Sequence, residues 1–434
     1  MVFCKILVNF PKSERYRIRQ NEFCSFWLRK EVCSLTTITS QQTMNDKKNK
    51  IFAFGAVVSI FLPYYLTAVF MVLGAIYVFS NRYRRSYALA EPFSRMILLV
   101  VGGWSLVAIL YQNFFGAGVS LLLLSIIVTM FYIRSFMTQR LFNTLMDVAC
   151  LCSLSTTIVA IGQLIYYEGI GSVQRAESVC QNPNYYGMLM EFMALIALYR
   201  FFGNPAHRKF YMLVMASSMI GIYLCASISA AAVVCAGVLL FFLLRGRYKY
   251  FLVFAVIGML AALAALTVLP IIFPRAGDAD HSMDQRLSIW MTTLQGIRQH
   301  LFFGQGPVTY ELIYTQFNGY ATHHAHNLIL DTILNYGIVG AGLIGFFVLY
   351  QLRMVLARMR KGIASSTGVL LLVFGCMTFL HGMTDTTVVW LQTGALFLLV
   401  YSSIGIRSET AVVLEPEFAG NGLLAQEQRV HHNG

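Results

Sequence analysis

Charged residues are scarce in this chain of 434 residues, and their scarcity excludes an ordinary soluble protein. Asp, Glu, Lys and Arg make up 12% of the sequence, whereas a soluble globular chain carries roughly 25%. Hydrophobic residues make up 57%, and the mean hydropathy is +0.65. Apolar runs recur from Ile51 to Ile406, and about 20 such residues cross the hydrocarbon core of a bilayer. The sequence therefore predicts an all-α, polytopic transmembrane helix bundle.

The sequence also lacks the features of a disulfide-stabilised or cleaved secreted protein. The long segment 274–325 contains none of the nine cysteines, so no disulfide framework is implied. The first 43 residues have neither the apolar core nor the cleavage site of a signal peptide. At Met44 the sequence MNDKKNK opens the first apolar run. The segment 1–50 is therefore predicted to be a cytoplasmic N-terminal segment. Its first 43 residues are either a mis-assigned start that precedes Met44 or a real cytoplasmic extension, and we expect poor order there.

Basic residues give the chain a net charge of +13, but their placement argues against a nucleic-acid partner. They form five short clusters between apolar runs, which is the pattern of cytoplasmic loops under the positive-inside rule. The clusters are Arg82, Arg84, Arg85 and Arg95; Arg134 and Arg140; Arg208 and Lys209; Arg245, Arg247 and Lys249; and Arg353, Arg358, Arg360 and Lys361.

The number of spans depends on the first apolar run, 51–79, which is long for one helix and short for two. A single crossing would place every basic cluster outside, whereas a break at Pro63 returns all five to the cytoplasm. The sequence thus predicts about twelve spans with both ends inside. The predicted regions are transmembrane helices over 51–273, an extracytoplasmic catalytic loop over 274–325, transmembrane helices over 326–406 and a cytoplasmic tail over 407–434.

The predicted external loop contains an amphipathic helix. Apolar residues recur there at alternating steps of four and three, which is the spacing of one helical face. We expect this face to lie at the membrane surface or to cap the bundle. The residues of this stripe are Met283, Leu287, Trp290, Leu294, Ile297 and Leu301.

A histidine-rich motif, HHAHNLILDTILNYGIVG, occupies residues 323–340. His326 and Asn327 are followed by nine residues, Gly337, two residues and Gly340. The two glycines should lie on the helix about three turns after the histidine, where they allow a neighbouring span to pack closely.

Other polar residues flank this motif along the chain. Arg286 precedes Trp290, and the segment FFGQGPVTY carries two closely spaced glycines. Arg175 precedes QNPNYYG at 181–187, at the mouth of a predicted span. The segment HGMTD at 381–385 lies between the last two predicted spans.

With these residues, the sequence resembles the O-antigen ligase and O-antigen polymerase superfamily of bacterial membrane enzymes. The resemblance covers roughly residues 51–406. It implies an extracytoplasmic active site in the cytoplasmic membrane and an undecaprenyl-diphosphate-linked glycan donor. It also implies a hydroxyl acceptor on a glycan, lipid or protein, with membrane lipid around the enzyme and no cofactor. Members commonly carry a Ser-Arg pair where this chain has Ala230, which leaves the ligase branch in particular open.

Glycosyl transfer from a diphosphate needs cations against the leaving group and a base for the acceptor hydroxyl. Guanidinium groups stay charged and bind phosphate oxygens in a bidentate manner, so we assign this catalytic role to Arg286 and Arg175. Histidine titrates near neutrality, so we assign the base to His326. The residues predicted to bind substrate are Asn327, His323, His324, Arg298 and Asp385. Each has a structural alternative, such as an interfacial polar residue or an ordinary turn residue.

No metal is expected at the histidine motif, because adjacent residues on a helix point in different directions and no carboxylate follows at ligand spacing. Two other classes of function compete with the glycan transferase. A transporter or flippase also suits twelve spans, but the chain lacks the paired halves typical of carriers. A non-catalytic scaffold for envelope assembly would not need the arginine and histidine residues.

Overall fold

The computed structural model describes residues 46–172, 174–272 and 279–406, and these ranges contain helices and no β-strand. The all-α prediction is confirmed for them. From Ala53 onward, the described residues belong to one compact unit. The predicted N-terminal segment up to residue 45 and the predicted tail 407–434 lie outside the described residues.

The described residues form fifteen α-helices. They are α1 (Asp46–Ile60), α2 (Tyr64–Phe79), α3 (Arg82–Ala88), α4 (Ser94–Leu110), α5 (Phe114–Ser135), α6 (Gln139–Gly169), α7 (Pro183–Gly203), α8 (Arg208–Leu224), α9 (Ile228–Leu244), α10 (Tyr248–Ile272), α11 (Ala279–Gln299), α12 (Thr309–Ile313), α13 (Leu328–Arg360), α14 (Ser365–Gly382) and α15 (Leu391–Tyr401). Short 3₁₀ helices occupy Pro205–His207, Thr387–Val389 and Ser402–Gly405.

Several of these helices are long and apolar enough to cross a membrane. Among the described residues, α5, α6, α7, α13 and α14 pass this test singly. A sixth span results if α2 and α3, which are bent by 112° at their junction, count as one. Four further apolar helices are only 10–17 residues long. The chain is therefore a membrane protein, and the count of twelve spans stays a prediction.

The first apolar run breaks at the position that the charge pattern indicated. Helix α1 ends at Ile60, and α2 begins at Tyr64 with Pro63 as its N-cap. The ring of proline fixes φ and removes a backbone donor, so a helix ends before it. The hydroxyl of Thr67 donates to the Ser59 carbonyl at 2.7 Å and ties the two helices across the break.

Helix α7 lies at the centre of the bundle and is buried from Tyr186 to Arg200. It packs against helices α8, α9 and α6. A helix that is apolar on all sides has no solvent-facing stripe, so it is stable only inside other helices. Asn182 caps its first turn by accepting from the Asn184 N–H at 2.8 Å, with Pro183 at the first helical position, the position that proline favours.

Two acidic residues within the apolar runs pair with neighbouring helices. Asp147 on α6 accepts two bonds from the guanidinium of Arg200 on α7, at 2.6 and 2.8 Å. The Oε2 atom of Glu191 lies 3.0 Å from His381 Nδ1 on α14. A buried charge is tolerated only when a partner compensates it. Each carboxylate therefore has a partner on a neighbouring helix, Glu191 in a buried pair and Asp147 in a partly exposed one.

The apolar stripe predicted for α11 does not form a single buried or exposed face. Met283, Leu287 and Leu294 are exposed, whereas Ile297 is buried. The buried side of the helix packs in a cluster made by Ile289, Ile297, Tyr310, Ile313 and Leu334. The buried face of α11 therefore differs from the predicted stripe, because burial depends on which side chains fit against α12 and α13. The exposed members Met283, Leu287 and Leu294 suit a membrane surface.

The glycines of the histidine motif do allow close packing, but Gly337 also interrupts α13. It adopts φ 63° and ψ −179°, a backbone conformation that suits glycine. The Ile338 N–H then donates to the Leu301 carbonyl at 2.8 Å. A Cβ on Gly337 would collide with the Phe302 carbonyl, and one on Gly340 would lie 2.7 Å from the Trp104 ring. Both glycines thus lie on the predicted helix, which is kinked at Gly337.

Candidate active site

The turn that follows α14 brings the predicted site residues together. Asp385 lies in this turn with its side chain only 3% exposed. Its Oδ2 atom accepts from Asn184 Nδ2 at 2.7 Å, and its Oδ1 atom accepts from the Thr386 N–H at 2.7 Å. His326 Nδ1 lies 3.3 Å from the same Oδ1 atom. We call Asp385 with His324, His326 and Asn184 the Asp385 cluster.

Asp385 is a carboxylate in this environment. Burial alone would raise its pKa, but the imidazole of His326, together with His324 and His381, holds the pKa well below its usual range. The two hydrogen-bond donors act in the same direction, since donors to the charged form favour ionisation. The cluster therefore contains a fixed negative charge beside His326.

Asn184 connects Arg175 to the Asp385 cluster. The Oδ1 atom of Asn184 accepts from Arg175 Nη2 at 2.7 Å, while the amide nitrogen donates to Asp385. The Nε atom of Arg175 donates to the Cys225 carbonyl at 2.7 Å. Arg175 is thereby held at the start of α9, whose N-cap is Ser227.

Arg286 approaches the same turn from α11. Its Nε atom donates to the Thr384 carbonyl at 3.1 Å. The hydroxyl of Thr384 lies 3.1 Å from the Ser229 hydroxyl, in the first turn of α9. The two arginines predicted from the sequence therefore flank one helix N-terminus, where unpaired backbone N–H groups favour an anion.

His326 has the geometry of an oriented base. Its φ of 47° lies in the left-handed region that non-glycine residues rarely adopt. One ring nitrogen, Nδ1, faces Asp385, and the other, Nε2, lies 3.2 Å from the Thr322 hydroxyl. A carboxylate beside Nδ1 favours a proton on that nitrogen, which leaves the Nε2 lone pair available. The side chain is 22% exposed, so a substrate can reach it.

His324 lies beside His326 but makes different hydrogen bonds. Its Nδ1 atom accepts from the His326 N–H at 3.3 Å, so the proton of the neutral ring is assigned to Nε2. That nitrogen lies 3.1 Å from the Tyr185 hydroxyl. Burial lowers the pKa of His324 to about 4, so the ring is uncharged at neutral pH. The lone pair of His324 is used by a backbone N–H, so it is not available to a substrate, which favours His326 as the base.

Asn327 and Asp331 fix the segment that carries the histidines. The side chain of Asn327 caps α13 by accepting from the Ile329 and Leu330 N–H groups, each at 3.1 Å. Its amide nitrogen donates to the Met383 carbonyl at 3.2 Å. Asp331 Oδ1 accepts from the Ala325 N–H at 2.9 Å. Asn327 is thus placed to position the histidine segment against the turn after α14.

The structure places two of the predicted substrate-binding residues outside this cluster. The side chain of His323 is 78% exposed, and its Nδ1 atom lies 3.0 Å from Glu311 Oε2. Arg298 is exposed and lies twelve residues after Arg286, which is about 18 Å along a helix. Neither makes a described contact with Asp385, His326 or Asn184.

Sequence reasoning underrated three residues of the site. Asn184 was noted only as part of QNPNYYG, although it joins Arg175 to Asp385. Tyr185 and Thr384 were not singled out, although they contact His324 and Arg286. One pattern in the sequence could have indicated these residues. Polar residues occur at the helix ends that are predicted to lie on one face of the membrane, and such residues come together when the helices pack.

The packing around Ala230 gives a structural reason for the departure from the Ser-Arg pattern. It is buried in the first turn of α9, and its Cβ would lie 3.2 Å from a Cβ built on Gly187 of α7. The close approach of these two helices leaves no room for a long side chain at this position. Arg175 bonds the Cys225 carbonyl just before α9, and Arg286 bonds Thr384, whose hydroxyl contacts Ser229 of α9.

The Asp385 cluster also contains the donor types of a metal site. One nitrogen each of His324 and His326 and one oxygen of Asp385 lie within 4.8 Å of one another. A metal would need a lone pair of His324, but its Nδ1 accepts from the His326 N–H, and Nε2 then carries the proton of the neutral ring. The three histidines of the motif do not converge on one point, because His323 points to Glu311. The cluster fits acid–base chemistry better than metal binding.

Comparison with known proteins points to the same chemistry. Residues 211–347 match the family described as O-antigen ligase, a range that includes Arg286 and His326. No curated protein matches the chain. The match supports the resemblance of this membrane protein to the O-antigen ligase and O-antigen polymerase superfamily.

Proposed function

We propose that this protein transfers a glycan from an undecaprenyl-diphosphate carrier to an acceptor hydroxyl in surface polysaccharide assembly, as a polymerase or a ligase. The observation that carries the proposal is the convergence of His326, paired with Asp385, and two arginines at the turn after α14. The O-antigen ligase match supports the class of reaction.

The base in this mechanism is His326. The acceptor oxygen attacks the anomeric carbon of the donor sugar while its proton passes to His326 Nε2. The bond from that carbon to the diphosphate oxygen breaks, and its electron pair leaves on the phosphate. Asp385, 3.3 Å from Nδ1, keeps the ring in the required tautomer and stabilises the imidazolium that forms. An acceptor hydroxyl would take the place now held by Thr322.

The diphosphate would lie at the N-terminus of α9, between Arg175 and Arg286. Permanently charged guanidinium groups oppose the charge that develops on the leaving group. The N-terminus of α9 adds the partial positive charge of its backbone N–H groups. This arrangement supplies the charge that the family pattern places where Ala230 stands.

The active site is proposed to face the outside of the bacterial cytoplasmic membrane. The loop over 274–325, the Pro63 break and the turn at 383–387 then share the face that carries none of the basic clusters. One contact supports this assignment: Gln392, just after the turn, donates to the carbonyls of Leu62 at 2.8 Å and Val179 at 3.2 Å.

The test of the proposed function is a transfer assay with the purified full-length chain. A lipid-diphosphate oligosaccharide is supplied, with and without lipid A core as acceptor, and released lipid diphosphate and lengthened or transferred glycan are measured. Product with donor alone indicates a polymerase, and product that requires the core indicates a ligase. Movement of the lipid across vesicles without bond cleavage would instead indicate a flippase. A chelator should leave transfer intact, since the Asp385 cluster is proposed to act without a metal.

Substitution of Arg286 should separate two kinds of phosphate contact. We expect Arg286→Ala to weaken donor binding and to lower the rate, because one of two cations at the diphosphate is lost. Arg286→Lys keeps the charge but loses the planar fork. An appreciable loss with lysine indicates bidentate contact, and full activity indicates simple attraction. Arg298→Ala, on the same helix, is the matched control, and a loss as large as that of Arg286→Ala would contradict the assignment.

A further inference from the structure

A continuous row of aromatic rings leads away from the proposed base. The centroids of His326 and His324 are 4.2 Å apart, and those of His324 and Tyr185 are 6.3 Å apart. Tyr185 stacks on Trp390 at 4.6 Å and 22°. Trp390 lies 5.7 Å from Tyr64. The rings therefore form a continuous row from His326, the proposed base, to Tyr64.

The row becomes more exposed with distance from Asp385. The carboxyl group is buried, Trp390 and Tyr64 are partly exposed, and the next ring, Tyr65, is 55% exposed. Tyr65 lies 5.7 Å from Tyr64. A molecule that lay along these rings would reach His326 with one end and the outside with the other.

The row is held by a buried glutamine. The Oε1 atom of Gln392 accepts from Trp390 Nε1 at 3.1 Å. Its amide nitrogen donates to the carbonyls of Leu62 and Val179. Gln392 thus joins the Pro63 break, the segment before α7 and the start of α15, which come from distant parts of the sequence. A pre-organised surface of this kind loses little conformational freedom on binding.

We infer that Tyr185, Trp390 and Tyr64 form a subsite for a pyranose ring of the acceptor glycan. This inference rests on the proposed function. The C–H groups on one face of a pyranose are attracted to the negative face of an aromatic ring, and its hydroxyl rim stays free to bond elsewhere. Because the base removes the acceptor's proton, the surface that begins at His326 belongs to the acceptor rather than to the donor diphosphate.

The alternative is a set of aromatic anchors at the membrane interface, where Trp and Tyr are common. An anchor contacts lipid and does not discriminate between substrates. The acceptor subsite predicts a selective effect on acceptor KM, whereas the anchor predicts a change in the amount of inserted protein alone.

The experiment measures acceptor KM and donor KM separately in the transfer assay, with rates normalised to folded, membrane-inserted protein. We expect Trp390→Ala to raise acceptor KM roughly 2- to 10-fold and to leave donor KM unchanged. Trp390→Phe keeps a ring and should retain most of the affinity. The matched control is Tyr83→Ala on α3, a residue that is 55% exposed and lies beside the first basic cluster; it should change neither constant.

A binding measurement keeps the inference testable without turnover. The probe is the oligosaccharide released by mild acid from the host's lipid-linked donor, followed by tryptophan fluorescence. The wild-type chain should respond to the probe, and Trp390→Phe should lose most of that response. Transfer by the wild type with unchanged acceptor KM in Trp390→Ala would overturn the subsite alone. Absence of transfer by the wild type would overturn the proposed function.

Discussion

His326→Ala is expected to lower transfer by about 10²–10⁴-fold per folded molecule, which is the usual contribution of general-base assistance. The donor should still bind, because the two arginines at the start of α9 are untouched. The side chain faces Asp385 through Nδ1 and the Thr322 hydroxyl through Nε2, so its removal eliminates the proton acceptor without a large change in packing.

His323→Ala is the matched control for this substitution. His323 is three residues away in the same motif, but its side chain points outward to Glu311. The substitution His323→Ala should lower transfer activity much less than His326→Ala. The measurement is glycan transfer normalised to membrane-inserted protein, with donor binding followed in parallel. Full normalised activity in His326→Ala, with only a lower protein level, would refute the base.

Asp385→Asn should produce the second large loss, expected at about 10²–10⁴-fold in kcat, as when a base loses the carboxylate that orients it. The amide keeps the size of the side chain, but its nitrogen can donate toward His326 Nδ1. The ring would then carry its proton on Nε2, and the lone pair would no longer face the acceptor. Donor KM should change little.

Asp147→Asn controls for the loss of a paired carboxylate elsewhere in the bundle. Asp147 is bonded to Arg200, and breaking such a pair leaves a charge without its partner. This variant should reduce the amount of folded protein and leave turnover per folded molecule unchanged. If Asp385→Asn followed the same pattern, the carboxylate would have only a structural role.

The sequence by itself determined the class of protein and the start of several site helices. Scarce charge and long apolar runs require a membrane, because such segments cannot remain in water. Pro63 ends a helix independently of tertiary contacts, because its ring fixes φ and removes a backbone donor. Asn182 and Asn327 likewise cap helices through bonds to residues two or three positions ahead. These features depend on neighbours in sequence, so they were readable from it.

Only the tertiary structure decided which polar residues meet. Asn184 and Asp385 are 201 residues apart in the sequence, and no local pattern indicates that one bonds the other. The sequence assigned the base to His326, but it did not show that His323 lies outside the cluster. The left-handed backbone at His326 and the contact of His326 with Asp385 appear only in the fold, where His323 points to Glu311 instead. The outward face of α11 and the row from His326 to Tyr65 depend in the same way on how helices pack. The packing of a helix depends on the shapes of all the helices around it, whereas the periodicity of a sequence describes only the faces of a single helix.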